Sequence, residues 1–385
     1  MSEEATRLHN LATDLEREGR LEEALGMYEA ASAADPLSPF LLYNIGNIRR
    51  RLKRFDLAIA AYDAALGLRP DFTIAHFMRA TCLLQLGDLV QGFREYEWRK
   101  QCPGYDDPRY KLTPQWTGQN LRGKRLYIYP ELFLGDLLQF SRYVRLAEVA
   151  GARVSLAAPE AMHSILQTMS SHLRLLPADA EPPAFDYACA LMSLPAAFGA
   201  KLTTVPKGSY LRADPVRAAR WREVIGRAGF KVGVVWQGSA QATDRSFPLA
   251  ALAPLGKVPG VRLISLQKGE GLGQLDTLPE GMAVETLGDD FDPGPDLFVD
   301  TAAAMTACDL VVTADTSPCH LAGALGVKTW TALPFVSDWR WLDGRRDTPW
   351  YRSMSLYRQE APDDWGSVVA AMAGDLSEIA ARGSS

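Results

Sequence analysis

The residues with the clearest capacity for chemistry lie in Leu310-Val-Val-Thr-Ala-Asp315-Thr-Ser-Pro-Cys-His320-Leu-Ala-Gly-Ala-Leu-Gly326. Leu310 to Val312 are apolar and mostly β-branched, which predicts a buried parallel strand. Asp315, Thr316 and Ser317 are helix-capping types, Pro318 suits a first helical turn, and Gly326 suits a helix stop. A strand that runs into a helix in this way aims backbone N–H groups at one spot, with the positive end of the helix dipole behind them. That arrangement attracts anions, phosphate above all. A plain strand–helix turn with Asp315 as its cap accounts for the same residues, and the local pattern leaves both readings open. His320, one turn into the helix, either donates to a bound phosphate or ties the helix to its loop. Cys319 reads as a small buried helix residue rather than a nucleophile.

These residues sit in a chain of 385, which has room for two or three domains. A net charge of −5 removes any general expectation of nucleic-acid binding, which needs a basic face. There is no apolar run of about 18 residues, so no transmembrane segment is expected. The stretch Met1-Ser-Glu-Glu-Ala-Thr-Arg7 is polar and acidic, unlike a signal peptide, and points to the cytoplasm. The five cysteines are scattered and lack zinc-type spacing, so neither a disulfide framework nor a metal site is expected.

The first 110 residues repeat. Ala24, Ala58 and Gly92 recur at 34-residue steps, as do Tyr28, Tyr62 and Tyr96, and Ala12, Gly46 and Ala80. Small residues where two helices cross, an aromatic in the second helix and Pro36 and Pro70 after it resemble the tetratricopeptide repeat. One such helix pair cannot bury its own apolar face, so the repeats must stack. The first helices line a groove in that family. Tyr43 and Phe77, Asn47 and Thr81, and Arg51 fall on that stripe. It is expected to hold an extended peptide; the other reading is that the repeats only brace the following domain. The run Arg49-Arg-Arg-Leu-Lys-Arg54 suits a helix C-terminus.

A Pro/Gly/Asp-rich linker follows Gln101. Leu126 to Tyr129 then reads as a strand, Pro130 to Asp136 as a turn, Leu137 to Ala150 as a helix and Arg153 to Ala157 as the next strand. That alternation predicts a parallel sheet. A second set starts at Lys231-Val-Gly-Val-Val-Trp236 and continues with a helix over 249–255, a strand over 261–267, a helix over 301–307, the opening motif, a strand over 329–333 and a final helix over 363–381. The expected division is therefore 1–110 all-α repeats, 111–213 a first Rossmann-like domain and 214–385 a second. Two such halves place a cleft between the carboxyl ends of their strands.

Gly135-Asp136, Val232-Gly-Val-Val-Trp-Gln-Gly238, Asp244-Arg-Ser246, Ser265-Leu-Gln-Lys268, Asp300-Thr-Ala302, Asp315-Thr-Ser-Pro-Cys-His320-Leu, and Pro334-Phe335 with Asp338-Trp-Arg-Trp341 occur in that order. Together with the repeats they resemble a bacterial tetratricopeptide-repeat glycosyltransferase whose catalytic region has the GT-B fold. The similarity is to the heptosyltransferase-like family, glycosyltransferase family 9, and more distantly to protein O-GlcNAc transferase. The resemblance implies inverting transfer of a sugar from a nucleotide-sugar donor to a hydroxyl, with no metal and no cofactor beyond that substrate. It makes Asp136 the general base, with Glu131 as understudy; an N-cap of the following helix is the competing reading of Asp136. It assigns Arg245, Lys268, Thr316, Ser317 and His320 to the donor phosphates, Asp315 to ordering their turn, and Trp236 and Gln237 to the nucleotide or sugar. Trp236 as core and Lys268 as a solvated charge are the alternatives. The acceptor implied is Ser or Thr of a protein such as flagellin, held by the repeats.

One turn departs from the repeat-bearing relatives. Where they carry Gly-Glu-Gln-Gly-Leu-Gly-Asp, this chain has Pro130-Glu-Leu-Phe-Leu-Gly-Asp136. Glycine lets backbone approach a ligand, whereas Pro and Phe do not. A reshaped acceptor pocket is one outcome. The other is a non-catalytic, repeat-mediated interaction protein with a degenerate glycosyltransferase fold.

Overall fold

A computed structural model of the chain describes residues 1–105, 107–131, 133–239 and 244–383, in two compact units. One unit comprises Met1–Tyr110 with Phe198–Thr204 and Asp338–Gly344; the other holds Lys111–Ala197, Val205–Ser337 and Arg345–Ser385. A division at 110 and 213 alone does not contain the two short segments that join the repeats.

The repeat unit is built from helix pairs: α1 (Glu3–Arg17) with α2 (Leu21–Ala34), α3 (Pro39–Arg51) with α4 (Phe55–Leu68), and α5 (Thr73–Gln85) with α6 (Leu89–Tyr96). Ser2 caps α1 through the backbone N–H of Ala5, and Asp88 caps α6 through that of Gln91. The small residues permit close crossings. A Cβ on Gly46 would lie 2.4 Å from Tyr62 Cε1, and one on Gly92 would lie 2.7 Å from Leu84 Cγ. The tyrosines fill the space so made and are buried. Their hydroxyls then need partners. Tyr28 Oη meets Thr13 Oγ1 at 3.1 Å, and Tyr62 Oη donates to Asn47 Oδ1 at 2.8 Å, one repeat further on. After α6, the ring of Trp98 stacks on His76 at 4.0 Å. The distant turn Trp339–Trp341 seals the end of the array, with Trp339 5.7 Å from Phe93 and 5.5 Å from Tyr96. Lys53 pairs with Asp343 at 3.0 Å in the same contact.

Among the described residues the second unit holds two wholly parallel sheets. The first has the order β3-β2-β1-β4, from β1 (Arg125–Tyr129), β2 (Arg153–Ala158), β3 (Arg174–Pro177) and β4 (Tyr187–Ala190). The second has the order β10-β9-β8-β5-β6-β7, from β5 (Phe230–Val235), β6 (Val261–Ser265), β7 (Val284–Glu285), β8 (Leu310–Ala314), β9 (Thr329–Leu333) and β10 (Met354–Arg358). β8 is buried at every position, as a strand covered on both faces must be. The connecting helices are α7 (Leu134–Phe140), α8 (Arg142–Val149), α9 (His163–Gln167), α10 (Leu194–Ala197), α11 (Pro215–Ile225), α12 (Ala253–Gly256), α13 (Val299–Met305), α14 (Ser317–Leu325) and α15 (Trp365–Gly383).

Two expected elements differ. The helix expected over 137–150 starts three residues earlier and breaks at Ser141, whose hydroxyl donates to the Leu138 carbonyl. The helix expected over 249–255 is a tight turn at Leu249–Leu252 followed by α12, because Pro254 supplies no N–H. No helix among the described residues is long and apolar enough to cross a membrane.

Gly46→Ala should therefore overpack α3 against Tyr62 and destabilise the repeat unit by about 1–3 kcal/mol. Urea unfolding followed by tyrosine fluorescence would read this; an unchanged midpoint would show that the crossing is looser than its geometry.

Candidate active site

The opening motif folds as β8, a two-residue turn and α14. Thr316 is the N-cap of α14, with extended backbone and no side-chain cap bond, and Pro318 sits in the first turn. Thr316 Oγ1 is buried and has no hydrogen-bond partner among the described residues. An uncapped helix N-terminus with a buried hydroxyl beside it retains its capacity for an anion. Gly326 ends the helix in the left-handed region at φ +77°. Asp315 is buried at the strand end.

The Gly135-Asp136 pair from the first sheet packs against this turn. Both motifs follow carboxyl ends of strands: α7 comes after β1, and α14 after β8. A Cβ on Gly135 would lie 3.1 Å from His320 Cδ2 and 3.7 Å from both His320 Nε2 and Ser317 Oγ. A side chain here would crowd the edge of the His320 ring by a few tenths of an ångström. Asp136, the third residue of α7, is only 8% exposed. Its place inside the first turn corrects the N-cap reading, since Phe133 is the cap residue. Gln139, one turn on, is fully buried, and neither side-chain amide atom has a partner among the described residues.

Glu131 is committed elsewhere: its Oε2 accepts from the Met192 backbone N–H at 2.9 Å, tying the turn after β1 to the one after β4. Phe133 in the altered turn is 67% exposed; its neighbour Leu132 lies outside the described residues.

A second polar cluster joins the ends of β5 and β6. Gln267 Oε1 accepts from the backbone N–H groups of Trp236 and Gln237 at 3.0 and 3.1 Å, and its Nε2 donates to the Gln237 carbonyl at 2.8 Å. Trp236 is fully buried in the hydrophobic core and donates Nε1–H to Gly271 O. The indole has no exposed face, which is the core role, the alternative reading of this residue. Gln237 Oε1 accepts from Gln274 Nε2 at 2.8 Å. Lys268 reaches the Phe291 carbonyl at 2.6 Å and lies 5.6 Å from that ring's centroid, so its ammonium pins a neighbouring loop. Arg245 is half-buried, 3.9 Å from Asp244, and follows residues 240–243, which lie outside the described residues.

Several structural groups gave little sign in the sequence. Asp300, at 1% exposure, accepts from Trp221 Nε1 at 2.8 Å and from Arg217 Nη1 at 2.7 Å. Asp292 caps α13 by accepting from the N–H groups of Asp300 and Thr301, and its burial raises its carboxyl above the usual range. Arg142 is buried, with Nη1 donating to the carbonyls of Trp350 and Pro206 and Nε to that of Gln139. Its guanidinium lies over the Tyr351 ring at 4.4 Å, and Tyr351 Oη is 3.0 Å from His320 Nδ1. Burial pushes the Tyr351 phenol well above its usual range. An isolated Arg in a helix and a Tyr after Trp350 carry no motif, so only three-dimensional proximity reveals them.

As for cations, donor atoms of Asp315, Cys319 and His320 lie within 4.8 Å of one another. Their place at the positive end of α14 suits an anion better.

In the repeat unit every expected groove residue is half-buried and engaged. The Tyr43 ring packs on Tyr62 and Phe72, and Phe77 on Tyr96 and Tyr105. Asn47 accepts from Tyr62, Arg51 pairs with Glu16 at 2.9 Å, and Thr81 Oγ1 donates to the Met78 carbonyl. The Arg51–Glu16 pair links the first two repeats, as does Asn44 Nδ2 on His9 Nε2 at 3.1 Å.

The architecture is thus a helical-repeat array with a parallel-sheet α/β unit, and the array is of the tetratricopeptide-repeat type, which matches residues 9–71 and 43–105. Along 97% of its length the chain is 27% identical to protein FlbA of Caulobacter vibrioides, over 73% of that protein. Among solved structures, the first tetratricopeptide-repeat domain of Spaghetti (RPAP3) bound to an HSP90 peptide is 27% identical over 26% of this chain and 80% of that one, with a TM-score of 0.26. The Yersinia enterocolitica type III secretion chaperone SycD, in complex with a peptide of the translocator YopD, is 23% identical over 29% of this chain and 84% of that one, also at 0.26.

Asp300→Ala should leave the buried Trp221 indole N–H without its acceptor and cost about 3 kcal/mol. Thermal unfolding would register the loss. An unchanged melting temperature would show that the Asp300 bonds to Trp221 and Arg217 add nothing net to stability.

Proposed function

We propose that the chain is an inverting glycosyltransferase of GT-B type, which moves a sugar from a nucleotide-sugar donor to a hydroxyl. The observation that carries this reading is the packing of Gly135-Asp136 from one parallel sheet against Ser317 and His320 at the uncapped end of α14 from the other. Two Rossmann-like halves that meet at the carboxyl ends of their strands suit a nucleotide. In-line displacement needs a base on the acceptor hydroxyl, charge stabilisation on the departing diphosphate and a site that tolerates an oxocarbenium-like centre. Asp136 takes the hydroxyl proton. Backbone N–H groups and the hydroxyls of Thr316 and Ser317 bind the diphosphate, with His320 beside them and Arg245 supplying a cation. No metal has a role in this scheme.

The acceptor in this reading is a Ser or Thr of a protein, flagellin among the candidates, presented by the repeats in the cytoplasm. Solenoid repeats offer extended binding surfaces for such partners. A second reading is favoured by the Pro130-to-Phe133 turn, where a bulky exposed Phe133 stands in place of glycine. There the repeats are the working part and the α/β unit is a scaffold or a sugar-nucleotide sensor.

Turnover of UDP-, GDP-, ADP- and CMP-sugars by the full chain with a flagellin acceptor separates the two. Asp136→Ala should lower kcat by about 10²–10⁴-fold while donor affinity is kept, and Arg245→Ala should weaken donor binding. Full activity in Asp136→Ala would remove the base assignment. No turnover of any donor, with partner binding intact, would favour the second reading. In the repeats, Asn47→Ala with Arg51→Ala should weaken acceptor-protein binding measured by titration calorimetry; unchanged affinity in a folded double variant would place the partner elsewhere.

A further inference from the structure

We infer that Tyr351, braced by the buried Arg142, is a positioning residue that fixes His320 as the tautomer with its hydrogen on Nε2. The inference rests on the reading of the α14 N-terminus as a diphosphate site. It deepens that reading by making the histidine a neutral donor.

Arg142 is fully buried and has no carboxylate partner among the described residues; its bonds go to three carbonyls and to Tyr210 Oη at 3.3 Å. Tyr210 spends its own hydrogen on the Leu138 carbonyl at 2.7 Å. Tyr351 keeps its hydrogen, since burial opposes the phenolate, and must donate it. Of the two acceptors it meets, Tyr210 Oη is a phenol oxygen that already takes a hydrogen from Arg142 and is the weaker base, whereas the imidazole Nδ1 of His320 lies at 3.0 Å. The guanidinium over the Tyr351 ring favours the phenol as donor. With Nδ1 accepting, Nε2 of the neutral ring carries the hydrogen. Nε2 lies on the side of Gly135, 3.7 Å from where a Cβ would stand. A phosphate oxygen there gains a donor without any proton uptake. The other titratable groups around the ring are Asp315 and Cys319 at the start of its own helix, and Tyr210 and Arg142 behind Tyr351; Asp136 is the residue after Gly135 on α7.

Gly323 makes the arrangement possible, because a Cβ there would lie 2.4 Å from the Tyr351 ring.

Two measurements on the full chain test this. Nitrogen-15 NMR of His320 at neutral pH, without ligand, should show a protonated Nε2 and an unprotonated Nδ1, and Tyr351→Phe should erase that preference in a protein that melts as a single transition. A hydrogen on Nδ1, or an identical signal in Tyr351→Phe, would overturn the inference whether or not a nucleotide binds. Calorimetry then uses whichever of UDP, GDP, ADP and CMP binds. Tyr351→Phe should weaken it about five- to tenfold, and should have no further effect in a His320→Gln background, where the amide donor has no tautomer. An equal loss in both backgrounds would make Tyr351 merely structural. If none of the four nucleotides binds, the diphosphate reading fails, and the NMR result still decides the tautomer.

Discussion

The α/β unit depends on one close approach, between α7 and α14 at Gly135. A methyl group there would press on the edge of His320. Glycine keeps that contact close, so the two strand–helix turns lie side by side. Each turn alone is commonplace. Joined, they set a buried carboxylate on one side and an uncapped helix end on the other, and the proposed transfer to a hydroxyl would use the first as base and the second as anion site.

Arg142 supports that approach from within. A buried guanidinium without a carboxylate is costly unless its donors are satisfied. Here carbonyls from α7, from Pro206 and from Trp350 satisfy it, so the same cation gathers chain from both sheets' surroundings. Its aromatic neighbours Tyr210, Trp350 and Tyr351 add polarizable faces. The repeat unit solves a different problem with the same tools. Its glycines and alanines bring helices together, and tyrosine hydroxyls bond to the neighbouring helix rather than remain buried alone.

Much of this was legible in the residues. The 34-residue period located the small crossings and the tyrosines, since stacking imposes one spacing on every repeat. The apolar run Leu310 to Val312 and the Thr316 to Gly326 signals marked β8 and α14 because strand burial and helix ends are local matters. What escaped was long-range. Trp236 reads equally as ligand contact or core, and only its burial decides. Lys268 follows a strand as expected, yet a carbonyl 23 residues on claims it. Asn47 and Arg51 fall on the first-helix stripe, but their partners, Tyr62 and Glu16, are set by packing between helices. The extra turn at the start of α7, which moved Asp136 from cap to helix interior, arose in a stretch whose Pro130 and Phe133 resemble no standard helix start.

In the proposed function the two facing turns transfer a sugar with inversion. Proton NMR of the anomeric region, recorded while the full chain acts on an α-linked nucleotide sugar and a hydroxyl acceptor, tests it most directly. A β-linked product should accumulate in step with free nucleoside diphosphate. An α-linked product would contradict the single-displacement chemistry, and a donor left intact in the presence of a bound acceptor would contradict the transfer itself.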